Sequence, residues 1–153
     1  MKPIILVSAC LVGVVCTHQA EAKADPSVEA LRRTHRLVAV CPEVAGGLPT
    51  PRPAAERGAD GRVRTADGRD VTDFYHRGAQ QAVAIARAAG AERAVLKARS
   101  PSCGCHEIYD GSHTRTLVTG RGVAAEALVA AGLEVVSEED LAHPPAPDGG
   151  ESA

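Results

Sequence analysis

Aromatic residues are nearly missing from this chain of 153 residues: they make up 2% of it, as two tyrosines, one phenylalanine and no tryptophan. The apolar fraction is nonetheless 44%. A core must therefore be assembled from Ala, Val, Leu and Ile, which suits strands covered by alanine-rich helices. With few rings for bases to stack on, no lysine-rich block and a formal charge of −2, an extended nucleic-acid-binding surface is excluded. Long hydrophobic runs are also lacking. Pro3 to Ala9 is apolar but far too short to span a bilayer, and it has no charged segment of useful length before it. Gly-Lys-Ser/Thr does not occur, and no Gly-x-Gly-x-x-Gly follows the first strand, so the common phosphate and dinucleotide loops are excluded. These absences leave a soluble cytoplasmic protein acting on a small, individual substrate. Its length suits one domain, which by general scaling buries roughly 68–70% of the surface exposed by the unfolded chain.

Cysteine is present in a number that needs explaining: five, an odd count. In a reducing compartment cysteines serve metal binding or catalysis more often than disulfides. The competing reading, small buried hydrophobes, has to be judged by position.

Ile4 to Val7 is a β-branched and leucine run ending at Ser8-Ala9-Cys10, and Leu37 to Val40 repeats the pattern and ends at Cys41. Both read as buried strands. Between them Pro26 to Thr34 predicts a short helix with Asp25 as N-cap and proline at its first position. Ala94 to Leu96 is a third short strand, followed by the loop that carries Cys103. Phe74, Ala82, Ile85 and Ala89 recur at helical spacing within Val71 to Ala89, and Gly90 stands where a C-cap glycine belongs. Val123 to Ala131 predicts another helix, ended by Gly132, before a strand at Leu133 to Val136. Asp60-Gly61 and Asp67-Gly68 mark Glu56 to Asp70 as a surface hairpin or loop. This alternation predicts a single α/β domain over residues 1–141, a mostly parallel, Rossmann-like sheet flanked by helices. Residues 142–153, rich in Pro, Gly and acid, predict a disordered tail.

In such a sheet ligands bind beyond the carboxyl ends of the strands. Cys10, Cys41 and Cys103 each fall just after a different predicted strand, so they are expected to meet in space. Three thiolates suit zinc with a further ligand or an iron–sulfur cluster, and spacing does not choose between them. Glu43, two residues beyond Cys41, is placed to act as a general acid or base, with a capping or ion-paired glutamate as the alternative. Cys16 follows Cys10 by six residues in the same loop and is a candidate thiol nucleophile. Ser100, Ser102 and Gly104 surround Cys103 and offer hydroxyl and amide donors close to a ligand. Arg52, stiffened between Pro51 and Pro53, is a candidate contact for an anionic or carbonyl-bearing substrate. The histidines fall mostly in loops or on polar faces and read as surface residues.

Four segments together resemble the thiouracil desulfidase family, a bacterial family formerly listed as a domain of unknown function. They are Val7-Ser8-Ala9-Cys10-Leu11-Val12-Gly13, the run from Cys41-Pro42-Glu43 through Gly46-Gly47 to Pro51-Arg52, Asp67-Gly68-Arg69-Asp70-Val71-Thr72, and Leu96-Lys97-Ala98-Arg99-Ser100-Pro101-Ser102-Cys103-Gly104. The resemblance runs from about Ile4 to Leu141. It implies a four-iron four-sulfur cluster on three cysteines, here Cys10, Cys41 and Cys103, and non-redox removal of sulfur from a thiolated pyrimidine, with release of hydrogen sulfide; the substrate is expected to be such a base or its nucleoside or nucleotide. It also implies an acid and a thiol that assist; Glu43 and Cys16 are expected in those roles, and Ser102 with backbone amides is expected to hold the ring carbonyl. A zinc-dependent hydrolase on the same thiolates and a non-enzymatic iron–sulfur sensor or carrier are the rival readings. Two departures stand out. The chain has Cys16-Thr17-His18-Gln19-Ala20 where the family pattern is Cys-Arg-Tyr-Asp-Gly, and Cys105 is an additional cysteine beside Cys103.

Overall fold

The computed structural model describes residues 1–143. The segment expected to be a disordered tail lies outside the described residues from position 144 onward, and Ala142 instead closes the final helix. In chain order the elements are β1 (Ile4–Ser8), α1 (Pro26–Ala30), β2 (Arg36–Val40), α2 (Pro42–Ala45), β3 (Ala55–Arg57), β4 (Val63–Thr65), α3 (Thr72–Ala89), β5 (Arg93–Leu96), β6 (Glu107–Tyr109), β7 (Leu117–Thr119), α4 (Val123–Ala130), β8 (Glu134–Ser137) and α5 (Glu138–Ala142). Single 3-10 turns follow β1 at Ala9–Val12 and α1 at Leu31–Arg33.

Four strands form the expected parallel sheet in the order β2-β1-β5-β8. Both faces are covered, which is why the strands read as continuous apolar runs. Leu6, Leu96, Ala82, Ala86 and Leu128 pack on one face, and Ile5, Val7, Val95, Val28 and Leu11 on the other. Asp25 caps α1 by accepting from the amides of Ser27 and Val28 at 2.8 and 3.2 Å. The predicted surface hairpin forms as antiparallel β3 and β4. No helix among the described residues is long and apolar enough to cross a membrane.

The long helix α3 buries a face different from the one expected. Tyr75, Ala79, Ala82 and Ala86 are buried, whereas Phe74, Ile85 and Ala89 are only partly covered. The reason is α2, which crosses α3 with almost no side chains between them. A Cβ on Gly78 would lie 1.9 Å from the Pro42 carbonyl oxygen, and one on Gly46 would lie 2.0 Å from the Phe74 carbonyl oxygen. Helix propensity alone favours Gly78→Ala by about 1 kcal/mol. Backbone leaves no flexible atom to yield, so overpacking of roughly 1–3 kcal/mol or more wins. The Gly78→Ala protein is expected to melt at a lower temperature by circular dichroism; an unchanged or higher midpoint would mean that α2 shifts freely.

Candidate active site

The sheet order places a topological switch point between β1 and β5, because the chain proceeds from β1 to β2 on one side and from β5 to β8 on the other. That is where an open α/β sheet forms its ligand crevice. Cys10 lies in the 3-10 turn directly after β1, Cys41 is the N-cap residue of α2 after β2, and Cys103 sits in the loop after β5. The Lys97 amide donates to Ser8 Oγ at 2.9 Å, which ties the ends of β1 and β5 together. Ser100 Oγ accepts from the amides of Ser102 and Cys103 at 3.0 and 2.9 Å and so shapes the cysteine loop. At Gly104 an added Cβ would come within 2.9 Å of the Ser100 carbonyl oxygen, so the loop closes only around glycine.

A cavity of about 510 Å³ opens at this edge, with Cys10, Cys103, Glu43, Tyr75, Ser100 and Lys97 among its lining. This volume falls within the roughly 300–1,000 Å³ of small-molecule sites. Cys41, half-buried, stands behind this wall with its Sγ 3.7 Å from the Cys16 carbonyl oxygen and 4.0 Å from Arg52 Nη2. All five cysteines are free. Burial and then the neighbouring Cys41 push the Cys10 thiol up to about 11. Burial, followed by Cys41 and Cys10, pushes Cys16 up to about 12. Burial also drives Cys103 up, against a hydrogen bond with Ser8 that works the other way. Thiols so placed hold negative charge only when a cationic centre compensates it.

Glu43 lines the cavity from the first turn of α2. Its Oε1 accepts from Arg52 Nε at 2.7 Å and lies 2.6 Å from Nη2, and the two side chains are only 4% and 12% exposed. Arg52 does not line the cavity. Its Nη1 donates to the Pro49 carbonyl oxygen and Thr50 Oγ1, and its Nη2 also donates to the Cys16 carbonyl oxygen at 2.8 Å. All five N–H groups of the guanidinium are thereby engaged. Burial works to lower its pKa, and the charge and hydrogen bond of Glu43 outweigh that. Cys16 is 5% exposed and Ser102 1% exposed, and neither lines the cavity. Ser102 is held under the start of α4, its carbonyl accepting from the amides of Ala124 and Ala125, while its Oγ is buried without a partner.

Tyr75 was not among the candidates from sequence, yet it lines the cavity from α3. Burial, then the adjacent Glu43 carboxylate, pushes its phenol far above the ordinary range. Glu56 was missed as well. It lines the cavity and its Oε1 accepts from the amides of Gly111 and His113 at 3.0 Å each, drawing the β6–β7 turn over the site. The altered segment Thr17 to Gln19 forms another part of the wall.

A doubly covered parallel sheet with a cavity at its switch point, Cys10 and Cys103 in the cavity wall and Cys41 on the neighbouring strand end, defines a Rossmann-like domain with a cysteine-bearing site. The chain belongs to the 2-thiouracil desulfurase family, whose model matches residues 5–140. YbbK, an uncharacterized protein of Bacillus subtilis (strain 168), is 39% identical over 146 residues, covering 90% of this chain and 97% of that one. The solved structure of TudS, described as a 4Fe-4S-dependent thiouracil desulfidase, is 42% identical with a TM-score of 0.86, covering 92% of this chain and 94% of that one.

Proposed function

We propose that this chain is a desulfidase that replaces the sulfur of a thiolated pyrimidine by oxygen, with a four-iron four-sulfur cluster held by Cys10, Cys41 and Cys103. The observation that carries the reading is the placement of three thiols after three adjacent strands, two of them lining one cavity, in a chain 42% identical to a desulfidase of the same fold. The donor set supports a cluster over a single ion. Among the described residues the one Cys/His/Asp/Glu group with three ligand atoms within 4.8 Å of one another is elsewhere, at Cys105, His106 and Asp140. Cys10, Cys41 and Cys103 do not form such a group, which favours a centre larger than a single ion, as an iron–sulfur cluster is, over zinc.

Held by Cys10, Cys41 and Cys103, a cluster would supply a Lewis acid for the substrate's sulfur. The protein supplies the rest. Water adds to the thiocarbonyl carbon, the carbon–sulfur bond breaks, and hydrogen sulfide and the carbonyl compound form with no net change in electrons. Glu43 takes the proton from water and returns it to the departing sulfur. Arg52 engages Oε1 only, which leaves Oε2 as the atom for that transfer. We therefore assign Arg52 to positioning Glu43 rather than to the substrate. Ser100, which lines the cavity, takes over the ring-carbonyl contact expected of Ser102, and Cys16 assists from beside Cys41. The free thiols accord with a reducing cytoplasm.

The cavity's cations bear on whether base, nucleoside or nucleotide is used. Lys23, Lys97 and Arg99 each pair with a carboxylate, whereas Arg115 has no such partner among the described residues. A substrate phosphate would meet Arg115 first. The test is anaerobic purification, iron and acid-labile sulfide counting, and sulfide release from a thiolated pyrimidine as free base, nucleoside and monophosphate. Four irons with sulfide release support the reading; zinc alone, or a full cluster with no release from any of the three, overturns it.

A further inference from the structure

We infer that Cys105, His106, Asp140 and His143 form a second metal site, for zinc, separate from the cysteine cavity. Cys105 and His106 leave the Cys103 loop just before β6, while Asp140 lies on α5 and His143 directly follows it. One ligand atom each from Cys105, His106 and Asp140 lies within 4.8 Å of the other two. His143 lines the same cavity of about 270 Å³ and is the available fourth donor. Ala98 and Arg99 line both this cavity and the larger one, so the segment they occupy separates the two.

The donor types choose the metal. One sulfur with imidazole and carboxylate suits zinc, whereas magnesium or calcium sites are built from oxygen alone and iron–sulfur clusters from cysteine in the main. Zinc's bond lengths put tetrahedral donors about 3.3–3.8 Å apart. No pair of these atoms is more than 4.8 Å apart, so the widest needs to close by at most about 1.5 Å, and the His106 side chain, 61% exposed, has room to rotate. His106 Nε2 and Asp140 Oδ2 are hydrogen-bonded at 2.7 Å, so the metal would replace that bond and part the two atoms by about 0.6 Å. That oxygen also accepts from the Ser137 amide at 2.8 Å, which fixes the carboxylate on the first turn of α5.

Bound there, zinc would fasten α5 to the loop carrying Cys103. The fold already joins these parts by weaker means: Glu138 Oε1 accepts from the Ala98 amide at 2.8 Å, and Arg99 pairs with Glu139 at 2.7 and 3.0 Å. A metal clip would add a constraint where the ligand loop meets the last helix, giving the additional cysteine a task distinct from that of Cys103.

The test is zinc titration of the anaerobically purified chain, its iron content recorded, followed by competition with a chromophoric chelator and zinc-edge X-ray absorption. One zinc per chain with a single sulfur neighbour is expected, together with a melting temperature that rises with zinc concentration. Cys105→Ser and His106→Ala should each weaken zinc by more than the roughly 10–100-fold lost with an outer partner, with iron content unchanged. Zinc surrounded by several sulfurs, affinity retained in Cys105→Ser, or no uptake at micromolar zinc overturns the inference.

Discussion

Glu43→Gln is expected to load iron and sulfide in full yet release sulfide from a thiolated pyrimidine roughly 10²–10⁴-fold more slowly than the parent, the loss typical of a missing general acid–base group. Glutamine keeps the side-chain shape and an acceptor for Arg52, so the link to Pro49, Thr50 and the Cys16 carbonyl is retained. What disappears is the proton acceptor beside the cavity. It also leaves the Arg52 charge buried opposite a neutral amide, and breaking a buried pair commonly costs about 3–5 kcal/mol. Thermal melting and iron content must therefore be measured on the same sample. Single-turnover sulfide release decides the matter: a rate within a few-fold of the parent, from fully loaded protein, removes Glu43 from the chemistry.

The second large effect separates neighbouring cysteines. Cys10→Ala, Cys41→Ala and Cys103→Ala should each abolish the visible iron–sulfur absorption, while Cys105→Ala keeps it. Cys10 and Cys103 line the large cavity and Cys41 stands directly behind its wall, but Cys105 lines the smaller cavity beyond Ala98 and Arg99. All are buried or half-buried, so a fall in stability is expected throughout and absorption per folded chain is the proper readout. If Cys105→Ala bleaches the protein and Cys103→Ala does not, the ligand set proposed for this chain is wrong.

The strand ends and their cysteines were legible in the sequence because a buried parallel strand is an uninterrupted apolar run, and Cys10, Cys41 and Cys103 each follow one. The caps at Asp25 and Gly90 were equally readable, since each depends on local chemistry alone. The four-residue α2 was not, being too short for any periodicity to appear. Its crossing with α3 then rotated the buried face from Phe74 to Tyr75, which hid a cavity residue. Helix α5 carried a readable signal in Ser137 and Asp140, which form a capping box. The β6–β7 pair did not, since all three residues of β7 are exposed and show no alternation. Arg52 illustrates a different limit. Two flanking prolines show that it is held, but only the three-dimensional arrangement reveals that Glu43 and three backbone or hydroxyl acceptors engage every donor.

The backbone contact through Gly46 and Gly78 divides the active site into a chassis and a fitting. Cys41, Glu43 and Tyr75 ride on two helices locked together without intervening side chains, so the position of the proposed base is fixed by the scaffold. The facing wall, from Thr17 to Gln19 and at Arg115, consists of loop residues whose side chains can be exchanged without disturbing that lock. It is there that this chain departs from its family pattern, in the segment after Cys16. A change in that wall would alter what the cavity admits and leave the helix pair as it is.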